Sequence, residues 1–551
     1  MRHGGKILID QLERQGVTTI FTVPGESFLA ALDGLHDAKM IRTIICRQEG
    51  GAAMMAEAHG KLTGKPGICF VTRGPGAANA MAGLHVAQQD STPLILFVGL
   101  PASSVADREA FQEIDVKRLF SSFVKWAGVI GAPHRIPEYV ARAFQLAQSG
   151  RPGPVVLGLP EDLLGARIDV ADAPAAVIAS PSPSPHDMAD LQARLHDAKR
   201  PLMLIGGPGW SMAVRQQVEA FAARFDLPVA AAFRCQDYID NRHACYVGHA
   251  GIGPEPALAE AISDADLLIL LGARLGEITS SGYRLVEAPT PRQCLVHVHV
   301  NPDELGAVYH ADLAINSSAA NFAACLAAIP AAGGPPPWAE RRRDLRNALE
   351  ASWTPLPTPG ALQMAEVVTA LSDMLPDDAI ISNGAGNYAA FLHRYFVYKG
   401  FRSQLAPTSG SMGYGLPAAI AGKLARPDRT VIALAGDGCF MMTCQELSTA
   451  VQYDLPLVII VANNGMFGTI RMHQERQFPG RVIGTSLRNP DFAGLATSFG
   501  AFGQSVTSNE QFSSALRRAL GASRPALIEL KLDPEALTPR QTLSQIRGVI
   551  P

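Results

Sequence analysis

No apolar run in this chain of 551 residues approaches the roughly 20 needed to cross a bilayer, so a membrane-spanning helix is not expected. Charge is also scarce. Only 18% of residues are charged and the formal net charge is -3, which gives no electrostatic reason to expect nucleic acid or an anionic membrane as partner. None of the eight cysteines stands in a CxxC pair, and several, as in "GICFVT", sit in apolar runs where a reduced thiol behaves as a small hydrophobe. The N-terminus, "MRHGGKILIDQLERQGV", spaces Ile7, Leu8 and Leu12 as a helix does, but lacks the long apolar core and small-residue cleavage site of a signal peptide. These absences predict a cytoplasmic protein whose partners are small molecules.

What the sequence has is apolar substance, 47% of the residues, and enough length for about three to four domains. Two stretches rich in Pro, Ala, Ser and Gly interrupt it: "DAPAAVIASPSPSPHD", residues 172–187, and "IPAAGGPPPWAE", residues 329–340. The expected domains are therefore 1–170, 188–330 and 355–540. Each alternates short apolar runs with helical patterns. The first has "TTIFTVPG", "RTIICR", "GICFVTRGPG", "PLILFVG" and "GPVVLGLP"; the middle has "PLMLIGGPG", "LPVAAAF", "DLLILLGARL" and "CLVHVHVN"; the last has "AIISNGAG", "TVIALAGDG", "PLVIIVANNG" and "PALIELKL". Continuous apolar strands separated by helices imply parallel sheets covered on both faces, so the predicted fold class is α/β with three doubly wound parallel-sheet domains. In such sheets ligands bind beyond the carboxyl ends of the strands.

The most informative strand end is Gly436-Asp437-Gly438, after "TVIALA". A carboxylate there can hold a hard divalent cation, and the flanking glycines let backbone amides approach phosphate oxygens. Asn464 ends the next strand 27 residues later, offering a second oxygen ligand, and the turn beyond it offers the backbone carbonyl of Met466 as a third. Magnesium keeps an octahedral oxygen shell that it shares with phosphates. Gly-Asp-Gly alone is an ordinary turn, and Asn-Asn-Gly is ordinary turn chemistry. Their conjunction, each behind a strand, is far more specific.

With these motifs the chain resembles the thiamin-diphosphate-dependent enzymes, and within them the acetolactate synthase-like branch of 2-oxo acid decarboxylases and carboligases. The resemblance extends over "VPGESF", "RQEGGAAMMAEAHGKLTGKPG", "TRGPGAANA", "AFQEID", "FVKWAG" and "SGSMGYGLPAAIAG" as well as the metal loop. It implies a pyrimidine-binding, a central and a diphosphate-binding domain. It also implies thiamin diphosphate and Mg2+ as cofactors. Glu49 matches the carboxylate that hydrogen-bonds the cofactor's pyrimidine N1′ and promotes loss of the thiazolium C2 proton. The Gly410 carbonyl and the Met412 amide match the groups that meet the aminopyrimidine, with the Met412 side chain propping the bent cofactor. Gly386, Asn387, Gly436, Gly438, Cys439 and Gly468 match diphosphate neighbours.

Phe111, Gln112 and Lys125 match substrate-side positions of acetolactate synthases, where an amide and an ammonium could orient a 2-oxo acid. Two positions depart from that branch: His473 stands where those enzymes carry a Trp, and Glu26 stands where they carry a second glycine. In the family, the first domain of one subunit faces the third domain of another, so a homodimer or homotetramer with active sites at the subunit interface is implied. The resemblance leaves FAD open for the central domain. "IGGPG" and "GARLGE" do not make a dinucleotide fingerprint, so bound FAD is not favoured. The expected reaction is decarboxylation of a 2-oxo acid, with protonation or carboligation of the remaining fragment. An FAD-containing pyruvate oxidase-like enzyme and a non-catalytic cofactor-binding subunit are the alternatives.

Overall fold

The computed structural model describes residues 1–330 and 333–548; Ala331 and Ala332, inside the second composition break, and the last three residues lie outside the described residues. Three six-stranded sheets carry the fold, and every strand pairing within them is parallel. The first holds β1 (Thr19–Thr22), β2 (Arg42–Ile45), β3 (Gly67–Val71), β4 (Leu94–Leu100), β5 (Trp126–Val129) and β6 (Pro154–Pro160), in the order β2-β1-β3-β4-β6-β5. The second holds β7 (Pro201–Ile205), β8 (Val229–Ala231), β9 (Tyr246–His249), β10 (Leu267–Leu271), β11 (Cys294–His299) and β12 (Leu313–Asn316), in the order β9-β8-β7-β10-β11-β12. The third holds β13 (Ile380–Asn383), β14 (Gln404–Leu405), β15 (Val431–Gly436), β16 (Val458–Asn463), β17 (Phe502–Val506) and β18 (Ala526–Lys531), in the order β14-β13-β15-β16-β18-β17.

The first and third sheets thus share one connectivity, whereas the middle one follows the dinucleotide-fold order. Five strands have no counterpart among the apolar runs of the sequence: β5, β9, β12, β14 and β17. All five are sheet edges. An interior strand is buried on both faces and reads as an unbroken apolar run, but an edge such as β17, "FGQSV", is mostly half-exposed and reads as loop.

The first and third domains meet through the helices that follow their second strands. The Glu49–Thr63 helix packs on the Gly415–Ala425 helix, and Ala52, Ala53 and Ala56 of one share a buried cluster with Leu416, Ala419 and Ile420 of the other. Small side chains at the crossing let the two backbones approach. Polar ties run through the same contact. The fully buried Glu57 carboxylate accepts from Thr92 Oγ1 at 2.6 Å and from Tyr414 Oη at 2.5 Å, and the Glu446 carboxylate accepts from the amides of Arg47 and Gln48 at 3.1 and 3.0 Å. Among the described residues no helix is long and apolar enough to cross a membrane.

Candidate active site

The carboxyl ends of β13, β15 and β16 open onto a cavity of about 290 Å³. Its floor is the β15 turn, where Gly436, Asp437, Gly438 and Cys439 lead straight into a helix. Gly386 and Asn387 approach from the β13 turn, Gly410 and Met412 from the segment after β14, and Asn464, Met466 and Gly468 from beyond β16. Every third-domain residue assigned to the cofactor or the metal from the sequence therefore lines one space. Gly438 has no room for a side chain, since a Cβ would stand 2.5 Å from the Phe467 ring. At Gly410 the demand is conformational instead: φ is +66°, which disfavours any residue with a Cβ.

Asp437 is almost fully buried and its carboxylate has only neutral partners. Oδ1 accepts from the Gly438 amide at 2.8 Å, while Oδ2 accepts from the Gly465 amide at 2.9 Å and from Asn489 Nδ2 at 2.8 Å. Burial pushes its pKa above the ordinary carboxylate value, against the pull of these donors. A cation would reverse that push. The strand ends at Asn463, so Asn464 lies one residue further out than the sequence indicates, as the first residue of the turn. Asn463 does not line the cavity: its Nδ2 donates to the buried Glu529 at 2.7 Å and its Oδ1 accepts from Asn489 Nδ2 at 2.9 Å. Met466 forms an isolated antiparallel bridge with Ser486. Among the described residues no cluster of three or more His, Cys, Asp or Glu side chains could hold a metal. Asp437, Asn464 and a carbonyl are hard oxygen donors carrying one formal charge. Such a set suits Mg2+ when phosphate oxygens complete the shell, and the small residues around it leave space for a diphosphate.

Several supporting contacts have no signal in the sequence. Cys439 Sγ accepts from the Gly413 amide at 3.2 Å and from Tyr388 Oη at 3.4 Å, and Tyr388 Oη itself accepts from the Gly384 amide at 3.1 Å, which ties three cavity turns together. Thr469 Oγ1 donates to Asn387 Oδ1 at 2.9 Å. Arg234, buried in the central domain beyond β8, donates to the carbonyls of Gly384, at 2.9 Å, and Pro407, bracing the two segments that carry Gly386 and Gly410. Leu532, Ala536 and Leu537, after the last strand, close the cavity. Met412 lies half-buried against the core of the third domain.

Glu49 opens the helix behind β2, half-buried, and its Oε2 accepts from Asn79 Nδ2 at 2.9 Å. It does not line the cavity of its own chain. Phe111 and Gln112 reach the same carboxyl edge of the first sheet: Phe111 is 70% exposed, and the Gln112 carbonyl accepts from the Gly74 amide, at the end of β3, at 2.9 Å. Lys125 does not join them. It precedes β5, level with the start of β3, so it lies at the amino edge of the sheet, where its ammonium donates to the Ser149 carbonyl. Burial and the nearby Arg151 bring it down to about 8. The chain reverses direction through the Val116–Phe120 helix between Gln112 and Lys125, which the short sequence interval conceals. His473 is exposed on the Gly468–Gln477 helix. In the central domain the β7 turn does not open into a helix as a dinucleotide cradle does. Trp210 folds back to donate to the Gly206 carbonyl at 2.9 Å, and the helix begins only at Met212.

Comparison with known proteins matches three successive segments of the chain. Residues 2–119 match the N-terminal TPP binding domain of thiamine pyrophosphate enzymes, residues 188–326 their central domain and residues 384–530 their C-terminal TPP binding domain. The chain is similar to the acetolactate synthase large subunit of Parasynechococcus marenigrum (strain WH8102), 32% identical over 96% of this chain and 87% of that protein. It is likewise similar to the acetolactate synthase isozyme 2 large subunit of Escherichia coli (strain K12), 30% identical over 96% of both chains. With three matching domains and relatives aligned over nearly the full length, the chain belongs to the thiamin-diphosphate-dependent enzymes of the acetolactate synthase-like type.

Proposed function

We propose that the protein uses thiamin diphosphate and Mg2+ to decarboxylate a 2-oxo acid and to join the remaining fragment to a second carbonyl compound. The observation that carries this is the cavity at the carboxyl ends of β13, β15 and β16, in which Asp437, the only carboxylate among the described lining residues, is buried with no cationic partner among the described residues. Asp437, Asn464 and the Met466 carbonyl hold the metal, and Gly386, Asn387, Gly436, Gly438, Cys439 and Gly468 surround the diphosphate. Gly410 and Met412 take the pyrimidine side, with the Met412 side chain wedged beneath it. When bound, the cofactor supplies a nucleophilic carbon and takes up the electrons that departing CO2 leaves behind. Glu49 holds a proton at the pyrimidine N1′, and Phe111 and Gln112 border the substrate. The test is CO2 release from a panel of 2-oxo acids by protein loaded with thiamin diphosphate and Mg2+, with products identified by mass spectrometry. Release should stop when a chelator removes the metal; no release from any 2-oxo acid would reject the reading.

The active site is completed by a second copy of the chain. Support comes from the position of Glu49, which sits on the first domain's carboxyl edge and outside the cavity lining of its own chain. Mixing inactive Glu49→Ala and Asp437→Ala proteins under subunit exchange should restore part of the activity, because one site of each mixed pair carries neither defect. Continued inactivity with exchange demonstrated would refute the shared site.

A further inference from the structure

In a sheet of order 2-1-3-4 the chain leaves its first strand in one direction for the second and in the other for the third, and ligands bind in the crevice between those two strand ends. In the third domain that crevice lies between the ends of β13 and β15, and it is the cavity that holds Asp437. In the first domain the equivalent crevice lies between the ends of β1 and β3. Glu26 follows β1 and Arg73 follows β3.

Arg73 is 8% exposed, and its Nε is buried without a partner among the described residues. Its Nη2 donates to Glu161 Oε2, beyond the end of β6, at 2.7 Å. Its Nη1 has only two contacts at the limit of hydrogen bonding, 3.5 Å each, to Glu26 Oε1 and to the Phe111 carbonyl. The Glu26 side chain is 68% exposed, so this arm of the guanidinium is covered by a loosely held, solvated carboxylate. Charge-assisted bonds to guanidinium normally close to about 2.7–2.9 Å, often two at a time. The crevice also adjoins the residues already assigned. Gly76, three residues after Arg73, lies so near Glu49 that a Cβ would stand 3.3 Å from Glu49 Oε1, and Gly74 takes the Gln112 carbonyl.

We propose that Arg73 anchors the carboxylate of the second substrate, a 2-oxo acid serving as carbonyl acceptor, and that Glu26 occupies its place until the acceptor binds. This rests on the carboligase reading above. The acceptor is favoured over the donor by charge. The donor's carboxylate gives up its negative charge as CO2 forms, so a cation fixed upon it would hold the ground state back. The acceptor keeps its carboxylate throughout, and anchoring it costs nothing in the transition state. The arrangement also supplies the cation that Lys125 cannot, because Lys125 lies at the opposite edge of the sheet.

The test uses holoenzyme, the donor identified by CO2 release, and two acceptors that differ only in the carboxylate: 2-oxobutyrate and propanal. In Arg73→Gln the KM for 2-oxobutyrate should rise at least roughly tenfold relative to that for propanal, as expected for loss of a charged hydrogen bond. Arg73→Lys, which keeps the charge and loses the fork, should fall between. Glu26→Gln should lower the KM for 2-oxobutyrate several-fold by removing the competing anion. Calorimetry with oxamate, an unreactive 2-oxo acid isostere, should show the same order of affinities, and thiamin diphosphate binding measured alongside reports that each variant is folded. An equal rise in KM for both acceptors, a drop in kcat at unchanged KM, or weaker oxamate binding in Glu26→Gln would each overturn the assignment. If the wild type releases CO2 from no 2-oxo acid, the carboligase reading itself fails and the inference falls with it; normal CO2 release with indifferent acceptor KM values rejects the inference alone.

Discussion

The first and third domains are built to one plan and furnished with opposite charges. Their sheets share the order 2-1-3-4-6-5, and the helices behind their second strands pack on each other. At the end of the third strand, one carries Arg73 and the other Asp437. In the third domain the crevice is floored by the glycine-rich β15 turn, walled by larger side chains such as Tyr388, Met412 and Phe467, and leaves a cavity. In the first it is bridged by Arg73, Glu26 and Glu161. The shared topology puts the crevice between the first and third strands at the same end of both sheets, because only there do the strand-to-helix turns face outward from a gap between diverging connections. What the site accepts is then set by a few turn residues. A buried lone carboxylate among glycines invites a metal and its phosphates, and a half-satisfied guanidinium invites a carboxylate.

The largest effect expected from breaking this contrast is in Asp437→Ala. It removes the one anionic ligand of the proposed clamp, so thiamin diphosphate affinity in the presence of Mg2+ should collapse in calorimetry; unchanged affinity would remove Asp437 from the metal site. Next in size is Glu49→Gln, on the first domain's side. The amide keeps the shape but cannot supply the carboxylate's charge-assisted bond, so cofactor and metal should still bind while C2 proton exchange slows on the order of 100-fold or more. Quenched-flow NMR on saturated protein measures this without knowledge of the substrate. Exchange at the wild-type rate would strip Glu49 of its role.

A third substitution probes what holds the third domain's crevice in shape. Arg234→Gln removes the donors to Gly384 and Pro407, and should cost about 1.5–3 kcal/mol in denaturant unfolding together with weaker cofactor binding. A loss of stability with cofactor affinity intact would show that Arg234 only joins domains. The smallest effect concerns the contact between the two domains. Burial, with Asp90 nearby, raises Glu57 from its ordinary value near 4.5 to about 7, although the Lys61 ammonium and the bonds from Thr92 and Tyr414 oppose it. A carboxyl that binds its proton more tightly in the folded state contributes stability that is complete below about 4.5 and is lost as pH rises through about 7. Glu57→Gln should flatten that part of the stability profile, and an unchanged slope would mean that other groups produce it.

The sequence alone determined the class of fold and the contents of one crevice. The twelve interior strands announce themselves as apolar runs because parallel strands in the middle of a covered sheet meet hydrophobic neighbours on both faces, and the edge strand β2 reads with them through "TII". Asp437, Asn464 and the glycines were legible because the metal and diphosphate proposed for them would require particular side chains at particular strand ends, all within one domain and close along the chain. Tertiary structure decided the rest. The edge strands β5, β12 and β17 carry no such pattern because they are partly exposed, and β9 and β14 carry none because, though buried, they are short and mix polar with apolar residues, "YVGH" and "QL". Arg234 and Asn489 support the cavity from other turns, and nothing in their local sequence marks a partner that only folding brings near. The placement of Lys125 at the wrong edge of its sheet, and of Arg73 and Glu26 together at the right one, follows from the direction in which each strand runs and from the order in which strands pair. Pairing order is a property of the whole sheet, settled by burial of its two faces, and no window of sequence contains it.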